Sequence, residues 1–190
     1  VPVRTALEKA ASPLDMGQID SDKMYDIVMK WDWGNGESPN IYHDPETRKN
    51  SITYRTNLAR LMEQLINEGK TEKAKKVIDL AIEKMPLEYY GFYTMLEPFA
   101  AGYYEVKETA KARKILSQLM VKYQENLKYY SNLKSNEQVD VYLEIITDIE
   151  RYRDLLLVMK ERGDMEFYNT NKATFNSYNK MFSRFKRDNE

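Results

Sequence analysis

The chain holds one histidine, His43, flanked by Asp44 and Glu46. An imidazole beside two carboxylates could act as a general base or begin a metal site. Two features oppose both roles. Asp44 directly precedes Pro45, where its side chain is wanted as a helix cap, and no second ligand sits at helical i, i+4 spacing with His43. The acids Asp20, Asp22, Asp26 and Asp32 have the density of a calcium loop but lack its alternating ligands, central glycine and terminal glutamate, so they read as a solvated face. With no cysteine there are no thiolate nucleophiles, thiolate zinc sites or disulfides. Phosphate-cradling glycine loops, nucleophile elbows and zinc-protease helices are also missing. The expectation is a chain with no catalytic residues, no metal site and no cofactor.

What remains is binding chemistry. The loop from Trp31 to Tyr42 carries Trp31, Trp33 and Tyr42 among Gly, Asn and Pro, a composition suited to gripping a sugar or a peptide. The preferred reading is structural: the two tryptophans pin an N-terminal helix to the first helical hairpin. Charge narrows the partners. The 29 basic and 30 acidic residues nearly cancel, with no long block of one sign, which speaks against nucleic acid. The basic tail Arg184, Lys186 and Arg187 reads as a helix C-terminus placed to complement the dipole.

These residues need elements to position them. Met24, Ile27, Val28 and Trp31 fall at i, i+3, i+4, i+7 and predict a short helix from Ser21 to Trp31, capped by Asp20 or Ser21. A turn-rich loop runs to about His43, and Asp44-Pro45-Glu46 opens a long helix. Its inner face is Leu58, Leu61, Met62, Leu65 and Ile66, and Gly69 stops it. Thr71 is expected to cap the next helix, with Ala74, Val77, Ile78, Ala81 and Met85 inside and Pro86 as the stop. The stretch Tyr89 to Tyr104 reads as a buried helix, and the longest aliphatic run, Leu155 to Met159, is far below the roughly 20 residues a membrane span needs.

Leu58, Leu61, Met62, Leu65, Gly69, Ala74, Ile78, Ala81 and Pro86 follow the tetratricopeptide (TPR) hairpin pattern, with Met62 standing where that pattern has a small residue. Leu96, Phe99, Ala100, Tyr103, Ala112, Leu116 and Leu119 repeat it at a period of 38, and helix two of this copy runs to about Tyr130. Tyr152, Leu155, Leu156, Met159 and Gly163 mimic a third copy, whose second helix is expected from Asp164 to about Lys186. Its aromatics Phe167, Tyr168, Phe175, Tyr178, Phe182 and Phe185 are expected in the core and cap. The predicted fold is all-α: TPR-like antiparallel hairpins stacked as a short right-handed solenoid. It divides into an N-terminal segment (1–50), two hairpins (51–133) and a divergent C-terminal pair (134–190) in one compact domain. The groove such stacking makes would include Ala59, Glu63, Ile66, Glu97 and Tyr104. The binding candidates are thus Glu63, Ile66, Glu97, Tyr104, Trp31, Trp33 and Tyr42, for a protein or peptide partner or a glycan.

Asp22-Lys23-Met24-Tyr25-Asp26, Lys30-Trp31-Asp32-Trp33-Gly34, Pro39-Asn40-Ile41-Tyr42, Glu83-Lys84-Met85-Pro86, Tyr103-Tyr104 and Leu127-Lys128-Tyr129-Tyr130 resemble the C-terminal region of the DUF2723 family of multi-pass membrane proteins. The resemblance covers about residues 1 to 133. It implies a parent similar to protein O-mannosyltransferase-type enzymes, with the catalytic carboxylates in a membrane part and this region on the extracytoplasmic, periplasmic face. No catalytic residue of the family maps onto this chain. Val1-Pro2-Val3-Arg4, with neither Met nor a signal-peptide pattern, reads as the start of an internal fragment or a processed form. The implied function is an accessory domain holding acceptor polypeptide or a partner; the alternative is a TPR-like interaction scaffold unrelated to sugar transfer.

Overall fold

Caps, prolines and glycines cut the chain into helices close to the places their chemistry dictates. The computed structural model describes residues 19–185; the expected Val1-Pro2-Val3-Arg4 start and the basic Lys186 and Arg187 lie outside them. The described residues form nine α-helices and two 3-10 turns, with no strand among them. None of these helices is long and apolar enough to cross a membrane. The chain divides into two units, Val1–Glu108 and Thr109–Glu190.

In the first unit α1 spans Ser21–Val28, and the Asp20 carboxylate accepts from Lys23 N at 3.0 Å. It ends three residues before the expected Trp31, because Lys30 N and Trp31 N bond back to Ile27 O and Val28 O in tight i→i−3 turns. A small ionic clasp fastens α1. Lys70 Nζ lies 2.7 Å from both Asp22 and Glu68, Lys73 Nζ 2.7 Å from Asp22, and the Ser21 hydroxyl donates to Glu68. Lys70 above all holds both carboxyls down at about 2.

Helix α2 spans Pro45–Asn67, with Asp44 accepting from Glu46 N and Thr47 N at 2.9 and 3.0 Å, as its sequence predicts. Leu58, Leu61, Met62 and Leu65 are buried, whereas Ile66 is half-exposed. Gly69 takes φ +73°, and Lys70 N donates to Leu65 O at 2.8 Å. That bond occupies the whole connection, so Thr71 is the first residue of α3 (Thr71–Lys84) and not its cap; the cap position is Lys70. Ala74, Val77, Ile78, Ala81 and Met85 are buried as expected.

The stretch from Tyr89 to Tyr104 is not one helix. It breaks into α4 (Leu87–Tyr90), a 3-10 turn (Tyr93–Leu96) and α5 (Glu97–Glu105), because Gly91 and Phe92 both take positive φ, +67° and +49°. Within α5, Gly102 is buried against α2 and α3. A Cβ there would collide with Met62 Sδ and lie 3.1 Å from Ile78 Cδ1. The large Met62 is therefore accommodated by a missing side chain on α5.

The second unit contains α6 (Thr109–Ser131), α7 (Ser135–Asp140), α8 (Tyr142–Glu161), α9 (Met165–Met181) and a 3-10 turn (Ser183–Phe185). Helix α7 is unforeseen, and α9 stops before the expected Lys186. Ala112, Ile115, Leu116, Leu119, Tyr123 and Leu127 of α6 are buried, as are Ile145, Tyr152, Leu155, Leu156 and Met159 of α8. Of the C-terminal aromatics only Phe175 and Phe182 are buried; Phe167, Tyr168, Tyr178 and Phe185 remain half-exposed. The Arg113 guanidinium grips buried Asp164 through two bonds of 2.9 and 2.6 Å, so that carboxylate serves an ion pair and makes no cap hydrogen bond to α9.

Candidate functional site

The side chains best arranged to meet a ligand lie where the 31–43 loop passes the start of α2. The loop is shaped by its own backbone. Asp32 Oδ1 accepts from Gly34 N at 2.9 Å, and Gly36 N donates to Trp33 O at 3.0 Å across a turn with Gly34 and Asn35 at φ +55° and +58°. Gly36 is needed for space: a Cβ would collide with the Tyr90 hydroxyl. Glu37 is ion-paired with Lys84 at the end of α3, and that lysine holds the carboxyl below its ordinary range.

The linker after α3 is fixed from inside by Arg55. Its side chain is fully buried and donates to Met85 O at 2.7 Å, Gly91 O at 2.6 Å and Phe92 O at 3.3 Å. Burial lowers its pKa to about 10. These three carbonyls belong to the interrupted stretch between α3 and α5; Phe92 O also accepts from Met95 N at 3.0 Å, so the acceptors that depend on Arg55 are Met85 O and Gly91 O, where the helical ladder stops. Arg55 fills them and so places Tyr90, which borders the loop.

The result is a cleft of about 520 Å³ lined by Trp31, Asp32, Trp33, Thr47, Asn50, Ser51, Tyr54, Met85 and Tyr90. Trp31, Trp33 and Tyr54 form a continuous aromatic wall with centroids 5.6 to 5.9 Å apart and planes inclined 59° to 71°. Both tryptophans are half-exposed, and Tyr54 is 44% exposed. Thr47, Asn50, Ser51 and Tyr54 fall at i, i+3, i+4, i+7 along α2, so one helix face supplies Tyr54 to the wall and three polar side chains to the lining beside it. Asp32 is the only charged residue of the lining.

Sequence reasoning named Trp31 and Trp33, and the structure brings them together. They do pack against α2 through Tyr54, yet they retain exposed surface in a cleft. Tyr42 goes elsewhere: it is 83% exposed and borders a second cleft of about 390 Å³ with Pro39, Asn40, Ile41, His43 and Tyr89. His43 is buried, 9% exposed, with the Tyr90 ring at 4.5 Å and Tyr89 at 6.2 Å. Neither ring nitrogen has a hydrogen-bond partner among the described residues. The imidazole thus packs on tyrosines, and Asp44 caps α2.

Glu63 is exposed on α2 and Ile66 half-exposed beside it, while Glu97 and Tyr104 are half-exposed on α5, the helix that packs on α2. Ala59 is buried and presents no groove surface. Of the lining, sequence reasoning named only Trp31 and Trp33 as binding residues; among those it missed are Asn50, Tyr54 and Tyr90. The first two were legible in the stripe 47, 50, 51, 54; Tyr90 depends on the break at Gly91 and carries no local signal. Comparison with family models, curated proteins and solved structures returns no match to the chain.

Proposed function

We propose that this chain is a non-catalytic binding domain of TPR-like hairpins, the periplasmic accessory region of a membrane glycosyltransferase-like protein, and that it engages its ligand at the Trp31–Trp33–Tyr54 cleft. One observation carries the binding role: three aromatic side chains keep exposed surface in a pre-shaped cleft, where full burial would be the favourable outcome for residues serving packing alone. The hairpin reading is supported by recurrence of one turn. Lys70 N to Leu65 O, Glu108 N to Tyr103 O and Asp164 N to Met159 O are each 2.8 Å, spanning residues at φ +73°, +62° and +74°. All three acceptor residues are buried. The membrane and sugar-transfer context rests on the family resemblance of residues 1 to 133.

The alternative, a protein-interaction scaffold unrelated to sugar transfer, draws on the α2–α5 surface with Glu63, Ile66, Glu97 and Tyr104. Amide chemical-shift mapping with an unfolded polypeptide and with neutral oligosaccharides separates the two. Responses among residues 31–54 are expected. Responses confined to Glu63, Ile66, Glu97 and Tyr104 would favour the scaffold, and silence toward both ligands would remove the binding role at the cleft. Apolar segments of membrane-spanning length encoded upstream of Val1 would support the parent protein.

A further inference from the structure

The lining of the cleft selects among ligand chemistries. Its only charge is the Asp32 carboxylate, and no lysine or arginine lines it, so an anionic ligand would meet repulsion without compensation. A small organic cation would need rings standing apart around a hole. Here the two tryptophans meet Tyr54 edge to face and each other at a tilt, with all three centroids within 5.6 to 5.9 Å, so the rings pack together as a faceted wall and do not stand apart. Such a wall suits the flat, C–H-rich face of a ring.

The other lining groups hold unused hydrogen-bonding capacity. Asp32 Oδ1 is taken by Gly34 N, while Oδ2 has no partner among the described residues. Asn50 is exposed and its amide makes no hydrogen bond among them, leaving two donors and one acceptor. Thr47 and Ser51 donate to Asp44 and Arg48 O and keep their oxygens as acceptors. An acceptor-only carboxylate on the loop and a donor–acceptor amide on α2 are complementary to neighbouring hydroxyls, which both donate and accept.

We propose that the cleft binds a neutral saccharide, one hexose ring lying C–H face against Trp31, Trp33 and Tyr54 while its hydroxyls bond to Asp32 and Asn50. This rests on the reading of the chain as a binding domain with its site at this cleft. Loop and linker are already held by the Glu37–Lys84 pair and by Arg55, so the wall is set before the ligand arrives.

The chain has two tryptophans and both line the cleft, so the two indole N–H signals of the labelled 190-residue protein report on it, the Trp33 N–H from a buried position behind the ring. Neutral hexose tetrasaccharides of gluco and manno configuration are expected to shift both signals saturably. Asp32→Asn keeps the acceptor for Gly34 N but removes the charge, and Asn50→Ala alters an exposed helical position without a partner. Neither should unfold the protein, which unchanged helical circular dichroism would verify, and each should weaken the saccharide by about five- to tenfold. Unweakened binding by both variants would overturn the assigned contacts. Saccharide silence with a response to unfolded polypeptide would sink the sugar and leave the binding domain standing. A response to tetramethylammonium alone would make the cleft a cation site and overturn the proposal. Silence toward every probe would remove both readings.

Discussion

Arg55 shows how much one side chain can organise. A guanidinium buried without a carboxylate is costly, and here backbone carbonyls from the chain break accept from its two terminal nitrogens, while Nε has no partner among the described residues. Replacing Arg55 with Ala would leave the Met85 and Gly91 carbonyls without this donor around a cavity, while Phe92 O keeps its bond from Met95 N, and we expect a loss of about 2 to 4 kcal/mol in urea unfolding. Lys, a compact donor without the planar fork, should rescue only part of it. A variant of wild-type stability would mean that water replaces the guanidinium without cost. Arg55 was legible, since it extends the buried row Leu58, Met62, Leu65 backward together with Ser51; an arginine in a helix is discounted as core on residue type, and type overrode period.

At the scale of elements, the close approach of α5 to α2 depends on Gly102. Gly102→Ala would ordinarily favour a helix by up to about 1 kcal/mol. Here it drives a methyl into Met62 and Ile78, so we expect net destabilisation of about 1 to 3 kcal/mol, partly restored by Met62→Ala in the same chain. A stabilised single variant would contradict the packing. The sequence flagged Met62 as too large for its place in the hairpin pattern, and the compensating residue lies 40 positions further on. Helix stripes and turns were readable because they depend on neighbours a few residues apart. The split of 89–104 was not, because Gly91 and Phe92 take their conformations with the help of Arg55, 36 and 37 residues distant.

For the whole molecule, acid should act unevenly. Asp22 and Glu68, ordinarily at 3.8 and 4.5, are held at about 2, and Glu37 and Asp44 are also lowered, all within the first unit. A depressed carboxyl stabilises fully above its unfolded pKa and loses that contribution as pH falls through the folded one. Between about pH 4.5 and 2 the clasp on α1 and the anchor of the loop should therefore weaken. Both tryptophans sit on that loop, so their emission should move red before helical circular dichroism collapses, and the shift should move to higher pH in high salt. Coincident transitions would show that these pairs bear no weight. Asp148, in the second unit, has the opposite tendency: burial raises its pKa, so its stabilising contribution belongs to low pH and is lost as pH rises. The helical class and the tryptophan loop were visible in the one-dimensional pattern, whereas the cleft needed α2, the loop and α4 in space together.

Enclosure of the Arg55 guanidinium also has a chemical meaning. A dicarbonyl reagent selective for arginine would react at once with exposed Arg162 and Arg184, but with Arg55 only when the 85–92 linker lifts away. The slow modification of this one residue is a clock for that opening, ticking in ordinary buffer and readable by peptide mass. Because the same linker places Tyr90 at the cleft, a ligand seated there would slow the clock.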